Sequence, residues 1–188
     1  TLSQYDIVHA HWIIPQGIVQ SCFKKPYILT GHGGDVTSLN KGVLKALKRR
    51  SILRAKGVTV VSSALKDEIT KLCPEKDYQV ISMGCDTSKF SPSNSVTNYF
   101  NQGDRKVILF VGRLAEKKGV TYLIEAMKNV DAMLAIVGSG PLEAELKEQA
   151  KELGDKVVFL GAKTHDELNT IYASADVFAC PSVTAKDG

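Results

Sequence analysis

One stretch decides the fold: Val107-Ile-Leu-Phe-Val-Gly112-Arg113-Leu-Ala-Glu-Lys117-Lys118-Gly119. Its five consecutive apolar residues predict a strand that is covered on both faces, as in a parallel sheet. A glycine ends the strand, and two cations, Arg113 and Lys118, then precede a predicted helix. Cations are unfavourable near a helix N-terminus unless an anion is present, and ligands of such sheets bind beyond the carboxyl ends of the strands. The stretch therefore predicts a diphosphate site; the alternative is a solvated turn with two cations.

Strand-like and helix-like runs alternate along almost the whole chain, in two series. The first series has predicted strands at residues 6–9, 26–30, 57–61 and 78–82 and helices at residues 15–23, 42–55 and 63–73. The second has predicted strands at residues 106–111, 132–137, 157–160 and 177–179 and helices at residues 119–127, 141–153 and 164–174. This alternation predicts two α/β domains, 1–83 and 106–188, each with a Rossmann-like, doubly wound parallel sheet, and a cleft between them. The polar residues 84–105 are typical of a linker.

Composition narrows the classes of function. The 188 residues are 44% hydrophobic and 23% charged, with a net charge of +4. That charge is too small to indicate nucleic acid as a partner. No apolar run approaches the roughly 20 residues that span a bilayer. The four cysteines are scattered without paired spacing, which predicts free thiols in a reduced, cytoplasmic protein.

Two further glycine turns follow predicted strands of the second domain. The first is Gly138-Ser-Gly140-Pro141, in which Pro141 is predicted at the first helical position, where its missing N–H costs nothing. The second is Gly161-Ala-Lys163. Residues alone leave two interpretations open for these turns, ordinary tight connections or parts of a site at the carboxyl edge of the sheet.

Histidines mark the first domain. His32 directly follows a predicted strand, in Thr30-Gly-His32-Gly33-Gly-Asp35. The slim glycine backbone lets a ligand approach closely, and the alternative is a histidine that caps a loop. His9 and His11 lie on one face if their strand continues. With Asp6 and His32 they suggest a metal site, but no third ligand has convincing spacing, so no metal is predicted.

Residues 41–56 form a predicted basic helix. Seven cations alternate with apolar residues there: Lys41, Lys45, Lys48, Arg49, Arg50, Arg54 and Lys56. Such a helix could lie on an anionic membrane surface as a peripheral contact. The alternative is that the charges form an ordinary solvated face.

Taken together, these motifs resemble family 4 glycosyltransferases of the GT-B fold, also described as glycosyl transferases group 1. The most specific likeness lies in Gly112-Arg113-Leu to Lys118-Gly119, in Gly138-Ser-Gly140-Pro141 and in the closing Ala175-Asp-Val-Phe to Pro181-Ser182. The run Tyr5-Asp-Ile-Val-His-Ala-His11 extends it to the start of the chain. The resemblance thus covers nearly the whole sequence.

The resemblance implies a retaining transfer of a sugar from a UDP- or GDP-sugar to an acceptor such as a polysaccharide or a lipid-linked glycan, without metal or cofactor. Arg113 and Lys118 would hold the diphosphate, and His32 would lie near the reacting centre. The remaining donor-binding residues would be Gly112, Gly138, Gly140 and Lys163. Gly33 and Asp35 would lie on the acceptor or sugar side, unless Asp35 only caps the next segment.

The resemblance also implies a chain that is truncated at both ends. Family members are about twice as long, with a glycine loop that would precede Thr1 and an E-x7-E pair that would follow Gly188. Both domains are then incomplete, and this chain alone is expected to be inactive. Two alternative functions stay open, a GT-B epimerase of UDP-N-acetyl sugars and a non-catalytic module that binds nucleotide sugars.

Overall fold

Two parallel sheets of four strands each form the framework of the chain. A computed structural model describes residues 4–184, and the chain divides into two units between residues 84 and 85. The sheets and their helices confirm the predicted α/β class with two Rossmann-like units. Asp187 and Gly188, which would lead into the E-x7-E pair that the resemblance implies, lie outside the described residues.

The sheet of the first unit runs in the order β1-β2-β3-β4. Its strands are β1 (Val8–His11), β2 (Tyr27–Gly31), β3 (Gly57–Val60) and β4 (Gln79–Val80). Its helices are α1 (Ile18–Gln20), α2 (Gly34–Thr37), α3 (Gly42–Arg54) and α4 (Ser63–Leu72). One face of the sheet packs against α3 and α4 around Leu29, Ile52 and Ile69. The side chains of the other face, among them those of His9 and Thr59, line an open cavity of about 720 Å³.

The second sheet has the order β7-β6-β5-β8. Its strands are β5 (Val107–Val111), β6 (Met133–Val137), β7 (Val157–Gly161) and β8 (Val177–Phe178), and its helices are α5 (Val120–Ala126), α6 (Glu143–Gln149) and α7 (His165–Ala173). Cores form on both faces, one with α5 and α6 and the other with α7. The strand order reverses at β5, so the carboxyl ends of β5 and β8 flank a topological switch point, where ligands of doubly wound sheets bind.

The first predicted strand and the helix after it differ from the structure. The strand was predicted at residues 6–9 and lies at Val8–His11. The helix predicted at residues 15–23 is replaced by a wide turn, Ile13–Gly17, and the three residues of α1. Pro15 explains the difference, because a residue before proline avoids the helical region and Ile14 is extended, with φ −119° and ψ 130°.

The segment predicted as a linker packs onto the second unit. Phe100 is buried in one core of that unit. The N–H of Val96 donates to Ser174 Oγ at 2.9 Å, and the Phe90 ring meets the His165 ring edge-on with centroids 5.4 Å apart. The aromatic and polar contacts thus fix residues that the composition alone marks as irregular. The exact domain boundaries stay a prediction.

Candidate functional site

Four loops meet at the carboxyl edge of the second sheet. They follow β5, β6, β7 and β8 and span residues 112–119, 138–142, 161–164 and 179–183. We call these loops the glycine rim. The edge gathers six of the predicted site residues, because parallel strands all end on one side of the sheet: Gly112, Arg113, Lys118, Gly138, Gly140 and Lys163.

Three glycines let the backbones of the glycine rim approach one another. A Cβ atom at Gly138 would overlap the carbonyl oxygen of Gly112, and one at Gly140 would overlap that of Leu114. A Cβ atom at Gly119 would overlap the carbonyl oxygen of Pro181. Gly138 and Gly119 also have positive φ values, 132° and 66°, which side chains disfavour. Only glycine therefore allows this packing.

Backbone hydrogen bonds lock these approaches. The N–H of Gly112 donates to Val137 O at 3.0 Å, and the N–H of Leu114 donates to Ser139 O at 3.0 Å. The N–H of Val183 donates to Lys117 O at 3.0 Å, which ties the loop after β8 to the loop after β5. The loops after β5 and β6, and the tie between the loops after β5 and β8, are thus held by main-chain groups, and the side chains of Arg113 and Lys118 take no part in holding them.

Arg113 and Lys118 are two such side chains. Arg113 is exposed and Lys118 is half-buried. Within residues 4–184 neither side chain forms an ion pair or a hydrogen bond. Two cations without partners, on a fixed backbone at a topological switch point, are suited to a phosphate-bearing ligand.

The helix starts of the rim differ from the prediction. A short 3₁₀ turn, Glu116–Lys118, lies between Arg113 and the first residue of α5, Val120. The helix after Pro141 begins at Glu143, two residues later than expected. The cause there is the bond from the Leu142 N–H to Leu114 O at 3.1 Å, which fixes the turn against the neighbouring loop. Arg113 is therefore not at the helix N-terminus itself.

Lys163 has a partner. Its Nζ lies 3.1 Å from Glu167 Oε1. Glu167 also accepts hydrogen bonds from the N–H and the hydroxyl of Thr164, in a capping box at the start of α7. These bonds, first that of the Thr164 N–H, lower the pKa of Glu167 to about 2. The ammonium is thus engaged, which leaves the backbone of this loop as the part available to a ligand.

In the first unit, Asp35 fastens the turn that carries His32. Asp35 is only 6% exposed. Its carboxylate accepts hydrogen bonds from the N–H groups of Ile13 at 2.8 Å, His32 at 3.0 Å and Gly33 at 2.8 Å. Gly33 has φ 152°, with open space where a Cβ would be. These bonds hold residues that precede α2, and that helix has no side-chain cap at its N-cap Gly33. The acceptor-side role of Asp35 stays a prediction.

A buried lysine supports the same turn. Lys48, on the predicted membrane helix, is fully buried, and its Nζ donates to Val36 O at 3.0 Å, Ser38 O at 2.8 Å and Asn40 Oδ1 at 2.5 Å. Burial lowers the pKa of Lys48, and the charge of Asp35 opposes part of that shift. One cation of the basic run therefore points into the protein and has a structural contact.

Three imidazoles lie close together at the carboxyl end of the first sheet. Their ring centroids are 4.2 Å apart for His9 and His11 and 5.1 Å apart for His11 and His32. His9 Nε2 lies 2.8 Å from Thr30 Oγ1, and the Trp12 ring stacks on His32. Burial, followed by the neighbouring His11 and His32, lowers the pKa of His9. We call His9, His11, Trp12 and residues 32–35 the histidine rim.

The geometry does not gather metal ligands. Among residues 4–184 no group of three or more His, Cys, Asp or Glu side chains is arranged to hold a metal ion. His9 is turned to Thr30, and all four cysteines are free thiols, with Cys73 buried. Over the same residues, no helix has the length and apolar character needed to cross a membrane.

The sequence did not reveal the structural roles of two residues, Asp176 and Trp12. Asp176, quoted only as part of a motif, accepts hydrogen bonds from Lys106 Nζ at 2.8 Å and from the N–H of Val107 at 2.9 Å, so it joins the amino ends of β5 and β8. Trp12 has a φ of 76°, rare for a residue with a side chain. No local pattern around Lys106 and the apolar strand after it indicates the contact with Asp176. No sequence pattern indicates the strained backbone of Trp12.

Comparison with known proteins defines the class. The family described as glycosyl transferases group 1 matches residues 95–188, and glycosyltransferase family 4 matches residues 1–89. The chain belongs to the glycosyl transferases group 1 family, and the resemblance read from the sequence is confirmed.

Three similar proteins place the chain within that class. An uncharacterized glycosyltransferase of Methanocaldococcus jannaschii, MJ1607, is 33% identical over 97% of this chain and 53% of its own length. The putative teichuronic acid biosynthesis glycosyltransferase TuaC of Bacillus subtilis is 30% identical over 94% and 47%. The crystal structure of Anabaena HepE in complex with UDP and glucose has a TM-score of 0.76 and 21% identity, over 95% of this chain and 53% of that one, and shows the GT-B fold. The chain spans about half the length of these relatives.

Proposed function

We propose that the full-length protein is a retaining glycosyltransferase that moves a sugar from a UDP- or GDP-sugar to a polysaccharide or lipid-linked acceptor. The observation that carries this proposal is the glycine rim, whose backbone is locked while the side chains of Arg113 and Lys118 remain without partners in residues 4–184. Family membership supplies the reaction class. The rim supplies the chemistry that a departing diphosphate needs.

The chemistry follows from where charge grows. When the bond between the sugar and the diphosphate breaks, negative charge develops on the leaving oxygen. Arg113 would bind it with a planar fork and Lys118 with a point charge, so that the transition state gains more than the ground state. The proposal gives this role to protein cations and invokes no metal ion. His32 is assigned to the sugar by the family resemblance.

The relatives support the kinds of substrate. HepE binds UDP and glucose in its crystal structure. TuaC is named for the biosynthesis of teichuronic acid. By analogy, a nucleotide diphosphate sugar and a growing glycan are the substrates that we propose for this protein.

A cytoplasmic location with peripheral membrane contact is also part of the proposal. On α3, Val43 is 74% exposed and Leu53 is 46% exposed. Lys45 and Arg50 line the same surface. Apolar side chains beside cations favour an anionic lipid surface, where a lipid-linked acceptor would lie.

Ligand binding and turnover test the donor site. A thermal-shift panel on the full-length protein would compare UDP, GDP and their sugars, and a ligand at about 100 times its Kd should stabilise by about 2.7 kcal/mol. Arg113→Ala should lower sugar transfer by roughly 10²- to 10³-fold, as for the loss of one transition-state donor. Lys117→Ala is the matched control, because Lys117 is an exposed neighbour whose backbone, not its side chain, ties the rim. A normal rate of sugar transfer by Arg113→Ala, or no thermal shift with any of the nucleotides, would contradict the proposed donor site.

A further inference from the structure

His11 and His32 are joined ring to ring. His11 Nδ1 lies 2.9 Å from His32 Nε2, which is hydrogen-bond distance. The two residues are 21 positions apart, and the contact forms because β1 ends at His11 while His32 directly follows the neighbouring strand β2. The pair is therefore a product of the sheet and not of the local chain.

This hydrogen bond couples the tautomers of the two rings. A neutral imidazole carries one proton, and its other nitrogen accepts. Two facing protons would repel, and two facing lone pairs would form no bond. One proton must lie between the rings, so both are Nε2–H tautomers or both are Nδ1–H tautomers. Which nitrogen of one ring is protonated thus depends on the other.

A second ring, that of Trp12, also contacts the His32 ring. The Trp12 ring stacks on it, with centroids 5.6 Å apart and an interplanar angle of 27°. Trp12 keeps its strained positive φ, with its N–H donating to Thr30 O at 2.8 Å and its carbonyl accepting from Gly17 at 3.0 Å. Strain of this kind persists only where neighbouring contacts enforce it, and it clusters at functional sites.

We propose that His11 is a positioning residue for His32: it fixes the ring orientation of His32, couples the tautomer of His32 to its own, and leaves Nδ1 as the nitrogen that His32 offers to a ligand. The coupling of the rings stands on geometry alone. Only the identity of the ligand, the donor sugar, rests on the proposed function.

Other titratable groups face the pair. The His9 ring adjoins His11, and the Asp35 carboxylate accepts from the His32 backbone, with buried Lys48 holding the loop beyond it.

Nuclear magnetic resonance of the ring nitrogens tests the coupling directly. The full-length protein, labelled with ¹⁵N-histidine, would be compared with His11→Phe and with His11→Asn, whose amide can replace Nδ1. We expect matching tautomers in the two wild-type rings, ring-nitrogen shifts of His32 that change in His11→Phe, and shifts that return towards the wild-type values in His11→Asn. Unchanged His32 ring shifts in His11→Phe, or different tautomers in the two wild-type rings, would overturn the proposal.

Turnover gives the second readout. His11→Phe should lower kcat about tenfold or more, as for other partners that orient a functional histidine, with a smaller change in the KM of the donor. His11→Asn should recover most of the loss, which a purely structural role would not predict. Normal transfer by His32→Ala would overturn the role of His32 in the proposed function and not the coupling, which the resonance comparison decides separately.

Discussion

The glycine rim and the histidine rim are both fixed in place, the first mainly by main-chain contacts and the second mainly by side chains. The glycine rim is held by main-chain bonds and bare glycine contacts, and its cations have no partners within residues 4–184. The histidine rim is held by side chains: the Asp35 carboxylate binds backbone N–H groups, and the rings of His11 and Trp12 contact the ring of His32. A fixed backbone with free cations suits a highly charged ligand. Mutually bonded rings suit the precise placement of one group.

Replacing Gly119 by alanine should produce the largest loss of stability, and it tests whether close backbone packing holds the glycine rim. The new Cβ would overlap Pro181 O, and φ is 66°, so we expect a loss of about 3 kcal/mol or more in the free energy of unfolding. Urea unfolding measures it. Gly103→Ala is the matched control, with φ 63° and open space, and should cost only about 1 kcal/mol. Equal losses would show that strained φ alone, and not close packing, explains the glycine rim.

The side-chain half of the comparison is tested by Asp35→Asn. Its amide cannot accept all three N–H bonds, and at least one buried donor is left unsatisfied, so we expect a loss of about 2–3 kcal/mol in unfolding free energy. Thermal and urea unfolding would be measured beside Asp67→Asn, an exposed carboxylate on α4. A variant as stable as Asp67→Asn would mean that the histidine rim does not depend on this carboxylate.

The smallest expected loss of stability is that of Asp176→Asn. Asp176 is a carboxylate of the second unit, at the edge of its sheet opposite the glycine rim. Hydrogen bonds from Lys106, then Val107, lower the pKa of Asp176. A carboxylate whose pKa is lowered on folding stabilises the folded state at pH values above its unfolded pKa. That stabilisation is lost as the pH falls through the folded pKa. Asp176→Asn should therefore cost about 1–2 kcal/mol at pH 7, reduced by partial exposure.

A pH series separates this contribution from simple packing. The stability difference between wild type and Asp176→Asn should shrink as the pH falls below about 4, since the wild-type carboxylate is then progressively protonated. A difference that stays constant down to pH 2 would assign the loss to packing instead of charge.

The sequence predicted the strands of both units to within two residues at their starts, because apolar runs bounded by glycine and polar residues are local signals. It also placed Arg113, Lys118, Gly138 and Gly140 at strand ends. It missed the short helix Gly34–Thr37, because four residues are too few to show a periodic pattern. The wide turn at Ile13–Gly17 replaces a predicted helix because of Pro15, and the bond from the Ile13 N–H to Asp35 joins this turn to a residue 22 positions away.

By itself the sequence determined the α/β class, the family and the positions of the cationic loop, since periodicity and motif spacing are properties of neighbouring residues. Only the tertiary structure decided which of these residues are free and which are engaged. Lys48 is buried and Lys163 is paired, whereas Arg113 has no partner within residues 4–184. The contact of His11 with His32 likewise depends on the register of β1 and β2. The two residues are 21 positions apart, too far for a local sequence pattern to indicate the contact.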